Sequence, residues 1–204
     1  MKESLLLNVN SKYALYVSLE DNTVTGYFLR ETNQELTSFF IESLQSFCQV
    51  HHCNPNEIDC LYFVNGPGSF TNIRLSTLLV KTLMTLRPNL LVKSTDLLTF
   101  SMNINDNEIV YLQSNKTTCF VLIHHQQEII VPTKLVSINE FNDYQIKYPD
   151  YLLRNVDNQQ FILNQVNNQA FNLDLFKVTS LDNLKANYMK DPNITLKNNL
   201  KINS

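Results

Sequence analysis

The stretch VNGPGSFTNIRLS, residues 64–76, contains two of the three glycines in this chain of 204 residues. Gly66 and Gly68 flank Pro67 directly after the apolar run CLYFV, which is typical of a buried strand. Glycine permits positive φ angles or a close backbone approach, and proline restricts the turn between the two glycines. A chain that uses glycine so sparingly is therefore expected to make a sharp, sterically demanding connection here.

A buried strand that runs through such a bend into a helix brings backbone N–H groups together at the helix N-terminus. That geometry suits a phosphate or a carboxylate. A tight strand-to-helix connection, with Ser69 or Thr71 capping the helix, explains the same residues without a ligand. A nucleophilic Ser69 has less support, because the G-x-S-x-G elbow is absent. The sequence alone leaves the first two interpretations open.

Apolar patterning on both sides of the bend predicts an α/β fold with a mixed sheet. Turn-type clusters separate three short strands, which indicates an antiparallel meander. The next helix has Asn33 as its predicted N-cap, and the helix after the bend ends at Arg87, immediately before a proline. The predicted elements are strands at 5–9, 14–19 and 24–29, a helix within 33–50, a strand within 59–65, a helix at 71–86, a strand within 89–94 and a short helix within 95–103 capped by Thr95 or Asp96.

The hydrophobic pattern of the sequence changes near residue 103. Three strand-like runs, EIVYLQS, TCFVLIHH and EIIVPTKLV, follow in close succession, and residues 137–184 mix short helices and strands rich in Asn and Gln. We therefore predict two lobes. Residues 1–102 form the lobe with the bend, and residues 103–204 form a reduced second α/β lobe with a C-terminal tail. No internal repeat with a fixed period is detectable.

The charge balance excludes some classes of function. The net charge is −3 and the 16 Lys and Arg residues are scattered, whereas a protein that grips nucleic acid alone needs clustered cations. No apolar stretch approaches the roughly 18 residues that cross a bilayer, and the leucine run near the N-terminus is too short for a secretory signal. We therefore expect a cytoplasmic protein with no membrane contact.

Three of the four cysteines surround two histidines in CQVHHCNPNEIDC, residues 48–60. A zinc site is one interpretation, but neither C-x2-C nor H-x3-H spacing is present. Buried structural thiols are the other interpretation, and disulfides are not expected in a reducing cytoplasm. The adjacent pairs His51–His52 and His124–His125 cannot form an i, i+4 chelate, so we interpret them as surface or turn residues.

The two helices that flank the bend are more apolar than one core contact requires. In the second helix, Ile73, Val80 and Met84 form one stripe beside another of leucines, so the apolar arc exceeds the roughly 100° of an ordinary amphipathic helix. This pattern favours a helical-bundle interface with another protein, and coverage by the second lobe would produce it equally. The predicted interface consists of Leu36, Phe39, Phe40 and Ile41 on the first helix and Leu75, Leu79 and Leu83 on the second.

The bend also resembles a known signature. Gly66 to Thr71, GPGSFT, and Arg74 match the GPGSFTGLR motif of the TsaB (YeaZ) family, whereas Asn72 and Ile73 depart from it. The tail ANYMKD, residues 186–191, is similar to the segment that closes the family's sequences, and between 102 and 184 only the architecture is similar. The resemblance implies an actin/Hsp70-like (ribonuclease H-like) mixed-sheet lobe with a reduced second α/β lobe. The motif loop consists of Gly66, Pro67, Gly68, Ser69, Phe70, Thr71 and Arg74.

Two departures from the wider superfamily bear on activity. Nucleotide-binding members open with a strand that ends in an acidic residue, and here Val9 takes that position, followed by Asn10 and Ser11. Neither Val9 nor Asn10 can supply the charge that holds a metal–nucleotide complex. The stretch STDLLTFSMN also lacks the H-x3-H metal pair of the catalytic paralogue, TsaD. The resemblance therefore implies a pseudo-enzyme with no cofactor or metal of its own, with ATP and metal on partner subunits.

The resemblance also implies partners. In the family, the two apolar helices pair with TsaD or form homodimers, the ATPase TsaE joins the complex, and the assembly makes N6-threonylcarbamoyladenosine (t6A) in tRNA. This chain would then contact tRNA only through the complex. Two other classes stay open: an independent ATPase-, kinase- or peptidase-like enzyme of the same superfamily, and a zinc-stabilised RNA-binding module.

Overall fold

The first sheet is built around the buried N-terminal strand. The computed structural model describes residues 2–32, 35–169 and 171–189. The sheet has six strands in the order β10-β5-β4-β1-β2-β3, in which β2 is antiparallel to β1, and β4 and β5 are parallel to it. The strands of this sheet and the helices between them are β1 (Glu3–Asn8), β2 (Tyr13–Glu20), β3 (Thr23–Glu31), α1 (Leu36–Val50), β4 (Cys60–Val64), α2 (Phe70–Leu86), β5 (Leu91–Thr95) and α3 (Leu97–Phe100). Strand β10 (Lys177–Val178) forms one edge of the sheet.

This strand order confirms the predicted α/β fold class of the first lobe. The antiparallel meander and both long helices lie where the apolar patterns place them. Asp96 caps α3 by accepting hydrogen bonds from the N–H groups of Leu98 and Thr99. Glu35 holds the N-cap position of α1, and the predicted cap Asn33 lies outside the described residues.

The second sheet repeats the topology of the first in shortened form. Its order is β8-β7-β6-β9, with an antiparallel meander followed by a helix and a strand that is parallel to the first one. The first sheet begins in the same way, with a meander, a helix and a parallel strand. The elements of this part are β6 (Asn107–Gln113), β7 (Thr118–His125), β8 (Glu128–Ser137), α4 (Ile138–Lys147), β9 (Leu152–Asn155), α5 (Gln159–Asn167) and a 3-10 turn (Leu173–Leu175).

The chain returns to the first sheet after the second one. Strand β10 pairs antiparallel with β5, and Leu184 is fully buried in the core beside α1 and α2. The division into residues 1–102 and 103–204 stays a prediction.

The core has three layers. Helices α1 and α2 cover one face of the first sheet. The other face packs on α3, α5 and the facing side of the second sheet, and α4 covers the outer side of the second sheet. Within the described ranges, no helix combines the length and the hydrophobicity needed to span a bilayer.

Candidate functional site

The glycine bend is sterically closed on two sides. Gly66 has a φ of +65°, in the left-handed region, and a Cβ there would overlap the backbone oxygen of Asn187. A Cβ on Gly68 would overlap the backbone oxygen of Asn10. The Gly66–Pro67 peptide bond is cis. Close backbone approach therefore requires glycine at both positions.

Polar groups of the bend make hydrogen bonds within the protein. The Ser69 N–H, a donor that an anion at the start of α2 would need, donates instead to the Asn10 carbonyl at 3.3 Å. Asn72 Nδ2 donates to the Val9 carbonyl at 3.0 Å, and Asn10 Nδ2 donates to the Val64 carbonyl. Ser69 is the N-cap residue of α2, but its side chain makes no capping hydrogen bond. These contacts join β1, β4 and α2, and they favour a structural connection over an anion site.

A cleft of about 650 Å³ lies beside the bend, between the two sheets. Asn10 and Ser11 line this cleft, whereas Val9 is fully buried on the helix side of the first sheet. The resemblance to the superfamily's opening strand places Val9 at the position of the acidic residue. Both residues follow β1, which ends at Asn8, and of the two only Asn10 reaches the cleft, where it supplies an uncharged amide.

Sequence reasoning missed two carboxylates in the same cleft. Glu31 Oε1 pairs with Lys12 Nζ at 3.0 Å, and Asp157 Oδ1 accepts a hydrogen bond from the Lys12 N–H at 2.8 Å. Burial raises the pKa of Asp157, and the hydrogen bond from Lys12 opposes that effect. No sequence pattern connects positions 12 and 157. Among the described residues, no three His, Cys, Asp or Glu side chains are grouped to hold a metal ion.

The C-terminal tail crosses the bend. Tyr188 stacks on Phe70 with the ring centroids 4.6 Å apart. Asn65 Nδ2 donates to the Lys185 carbonyl at 2.6 Å, and the Asn187 N–H donates to Asn65 Oδ1 at 3.4 Å. The two sequence segments that carry the family resemblance are thus in contact, although the last two residues of the ANYMKD segment lie outside the described residues.

The other motif residues do not converge on one point. Thr71 and Arg74 are exposed on the first turns of α2, and Ser69 is exposed at its start. Pro67 is buried. The motif therefore contributes a folded connection with an exposed helix start, rather than a cluster of reactive side chains.

An apolar groove of about 670 Å³ lies between α1 and α2. Leu79 and Leu83 belong to its α2 wall, and Ile41 and Leu44 belong to its α1 wall. Ile41 is 46% exposed, and the two α2 leucines are half-buried. The floor consists of the sheet residues Leu5, Leu7 and Leu61. An apolar occupant would remove the exposed surface of Ile41, Leu79 and Leu83 from water, which is favourable, whereas the floor is already buried.

The predicted interface needs correction at three positions. Leu36 and Phe40 are fully buried, and Phe39 is 9% exposed beneath the guanidinium of Arg30, 4.2 Å away. These side chains attach α1 to the first sheet, so they are not available to a partner. A helical wheel cannot distinguish the face turned toward the protein's own sheet from the outer face. Leu75, also half-buried, packs on the same core outside the groove.

The cysteine cluster is part of the core. All four cysteines are buried and free. A hydrogen bond with Cys53 lowers the pKa of Cys48, and the same hydrogen bond together with burial raises the pKa of Cys53. His51 packs on Phe47, with ring centroids 4.7 Å apart. These contacts support structural thiols over a zinc site.

A buried ionic network in the second lobe overturns the surface interpretation of His124. The side chains of His124 and Glu108 are fully buried, with His124 Nε2 3.1 Å from Glu108 Oε2. His124 Nδ1 lies 2.7 Å from the Gln126 carbonyl oxygen, so an oxygen faces each ring nitrogen. Arg154 Nε donates to Glu108 Oε1 at 2.6 Å. His125, the next residue, is exposed, in agreement with strand alternation.

Glu108 is ionised within this network. Burial raises its pKa, but hydrogen bonds from His124, Arg154 and the Asn103 N–H outweigh burial and hold the pKa below its usual value. The side chains of Glu108, His124 and Arg154 come from β6, β7 and β9, and no spacing in the sequence predicts that these three strands are neighbours.

Sequence comparison finds a relative of this chain but no family model. No family model matches the chain. A relative, the "uncharacterized protein MG208 homolog" of Mycoplasma pneumoniae, is 26% identical over 204 positions that cover 94% of this chain and 96% of that protein.

Two solved structures share the fold. A Pseudomonas aeruginosa protein described as similar to peptidase YeaZ matches with a TM-score of 0.57 and 12% identity over 67% of each chain. YeaZ from Pseudomonas aeruginosa matches with a TM-score of 0.54 and 14% identity, also over 67% of each chain. The resemblance at the glycine bend is thus confirmed at the level of architecture: the chain has a TsaB/YeaZ-like fold.

Proposed function

We propose that this chain is a non-catalytic, cytoplasmic subunit of the complex that makes t6A in tRNA, and that it binds a TsaD-like catalytic paralogue through the groove between α1 and α2. The groove is the observation that carries the proposal. Its walls and floor are leucine-rich, it is open to solvent, and it lies on the two helices that mediate pairing in the resembled family. The YeaZ-like fold supports the same assignment.

The cleft beside the glycine bend supports the non-catalytic role. Asn10, an uncharged residue, lines the cleft at the end of β1, and the Ser69 N–H is bonded to the Asn10 carbonyl. An ATP-binding site would need a carboxylate free to hold the metal and free N–H groups for the phosphates, whereas the two carboxylates of this cleft, Glu31 and Asp157, are both engaged by Lys12. In this proposal ATP and metal belong to the partner subunits, and a TsaE-like ATPase joins the assembled pair.

The groove also provides a route to a homodimer. Without the paralogue, two copies of this chain can bury their α1–α2 faces against each other, because the same leucine-rich surface is present on both. In the complex the paralogue replaces the second copy, and tRNA is contacted through the complex only.

A reconstituted modification assay tests this function. The TsaD-like and TsaE-like proteins of the same organism are combined with tRNA, ATP and the threonylcarbamoyl donor, and t6A is measured by mass spectrometry with and without this chain. We expect t6A formation to depend on the chain, and the chain alone to show no steady ATP hydrolysis. Formation of t6A at an equal rate without the chain would contradict the scaffold role, and ATP turnover by the homogeneous chain would contradict the non-catalytic one.

A further inference from the structure

A third cavity, of about 490 Å³, lies beside β9 and α5, away from both the bend and the groove. Its lining comes from the turn after α3, from β9, and from α5 and the segment that follows it. Six of the lining residues carry side-chain amides: Asn103, Asn105, Asn164, Gln165, Asn168 and Asn172. A cavity this rich in amides offers many donors and acceptors without charge.

Gln165 has an unmet hydrogen-bonding requirement. It is 6% exposed, and its Oε1 has no hydrogen-bond partner among the described residues. Its Nε2 donates to the Phe100 carbonyl at 3.4 Å. A carbonyl can only accept, so this contact determines which end of the amide is nitrogen and leaves the oxygen as the unpaired atom. Because Gln165 lines the cavity, a ligand there can supply the missing donor.

The charges around the cavity argue against an ionic ligand. Arg154 is the one formally charged residue in the lining. Glu108 accepts its Nε hydrogen bond at 2.6 Å, and Asp106 lies 3.8 Å from its NH2 group. A cation that is already paired has little attraction left for a phosphate or a carboxylate.

Aromatic surface completes the lining. The Arg154 guanidinium carbon lies over the Phe161 ring, 4.2 Å from the ring centroid, and Phe171 stacks on Phe100 with ring centroids 5.8 Å apart. Both phenylalanines line the cavity. Flat rings and guanidinium planes are surfaces on which planar heterocycles stack.

We propose that this cavity binds a nucleobase that carries an exocyclic amino group, adenine or cytosine, either in an uncharged nucleoside or in an unpaired position of a nucleic acid strand. The protruding amino group can reach the deeply placed Gln165 Oε1, while the asparagine amides around the cavity can donate to the adjacent ring nitrogen. Asn and Gln side chains make this paired contact with adenine in other proteins. The inference does not depend on the groove between α1 and α2.

Nucleoside titration of the full-length chain tests the site. Adenosine or cytidine should bind in equilibrium dialysis, and purine riboside, which is adenosine without the amino group, should bind at least about tenfold more weakly than adenosine because its loss leaves the buried acceptor unpaired. The same loss should follow Gln165→Leu, whereas Gln159→Leu, an exposed change on the same helix, should leave binding unaltered. The comparison of ligands needs no substitution, so it stands even if Gln165→Leu does not fold.

Competition identifies the source of the base. Displacement of bound adenosine by a single-stranded adenine hexanucleotide, and not by a uracil one, would support a base from a strand. Binding of adenosine without such displacement would support a free nucleoside. The assignment is overturned if neither adenosine nor cytidine binds at about 1 mM, an affinity near the weak limit of specific recognition, or if purine riboside binds as well as adenosine.

Discussion

At Gly68 the backbone of the bend meets the backbone of the β1–β2 turn with no room for a side chain. A Cβ there would overlap the Asn10 oxygen, which cannot rotate away. We expect Gly68→Ala to lower the free energy of unfolding by about 1–3 kcal/mol, the usual cost of overpacking a rigid site. Urea denaturation followed by circular dichroism measures this change.

Gly26→Ala is the matched control for that substitution. The atoms nearest to a Cβ at Gly26 belong to the imidazole ring of His51, a side chain rather than backbone, and the φ of Gly26 is not positive. Its cost should be clearly smaller. Equal stability of the wild type and Gly68→Ala would show that the close approach at Asn10 is not needed for the fold.

Glu108 makes the stability of the protein sensitive to acid. Its pKa lies below the ordinary value of 4.5, so its ionised form is favoured in the folded state. The resulting stabilisation is fully present above about pH 4.5 and is lost as the pH falls through the lower folded-state pKa. Unfolding free energies measured between pH 7 and pH 3.5 should therefore decrease steeply in the acid range.

Glu108→Gln should lose most of this acid dependence. At neutral pH it should also cost about 3–5 kcal/mol, because it leaves the largely buried guanidinium of Arg154 without the carboxylate that pairs with it. Glu128→Gln, at an exposed glutamate on β8, is the control and should retain the wild-type pH profile. An unchanged acid dependence in Glu108→Gln would mean that other carboxylates cause it.

The residue scale is also where the sequence was least informative. The surface interpretation of His124 failed because its partner Glu108, and Arg154 that pairs with Glu108, are 16 and 30 positions away on separate strands of one sheet. The strand pattern around His124 indicates only that it and His125 face opposite sides. Which side is buried depends on the neighbouring strands.

At the scale of elements, the tail is attached to the bend through Asn65. Asn65→Ala removes the two hydrogen bonds to residues 185 and 187, and we expect it to release the tail from the bend with a loss of about 1–2 kcal/mol in stability. Limited proteolysis, read by mass spectrometry, should then show faster cleavage within residues 185–189. Cleavage there at the wild-type rate would indicate that the Tyr188–Phe70 stack alone holds the tail.

The elements of the first lobe could be predicted because local signals agree with one another there. Alternating strands, an uninterrupted helical stripe and a glycine–proline bend each specify their own structure over a few residues. The second lobe after residue 137 could not be resolved in this way, since its helices and strands are short and rich in Asn and Gln. Its topological similarity to the first lobe has no counterpart in residue spacing.

At the scale of the whole molecule, binding of a partner depends on how α1 and α2 divide their apolar surface between the first sheet and the groove. On α2, Ile73 and Val80 are fully buried, whereas Leu79 and Leu83 are half-buried in the wall of the groove. The sequence pattern separates the two stripes but does not indicate which one faces outward. On α1 the same reasoning failed for Leu36, Phe39 and Phe40, because the first sheet buries them. The groove that results has leucines on both walls and on its floor, and it is the surface that the proposed partner would occupy.

The most direct test of that claim is sedimentation velocity of this chain mixed with the TsaD-like paralogue. Leu79→Glu and Leu83→Glu each place a carboxylate in the groove, where burial without a partner costs several kcal/mol. Leu78→Glu makes the same change on α2 at a residue that is 63% exposed and outside the groove. We predict a heterodimer for the wild type and Leu78→Glu, and separate species for Leu79→Glu and Leu83→Glu with their helical content retained. Normal association of both folded groove variants would contradict the account.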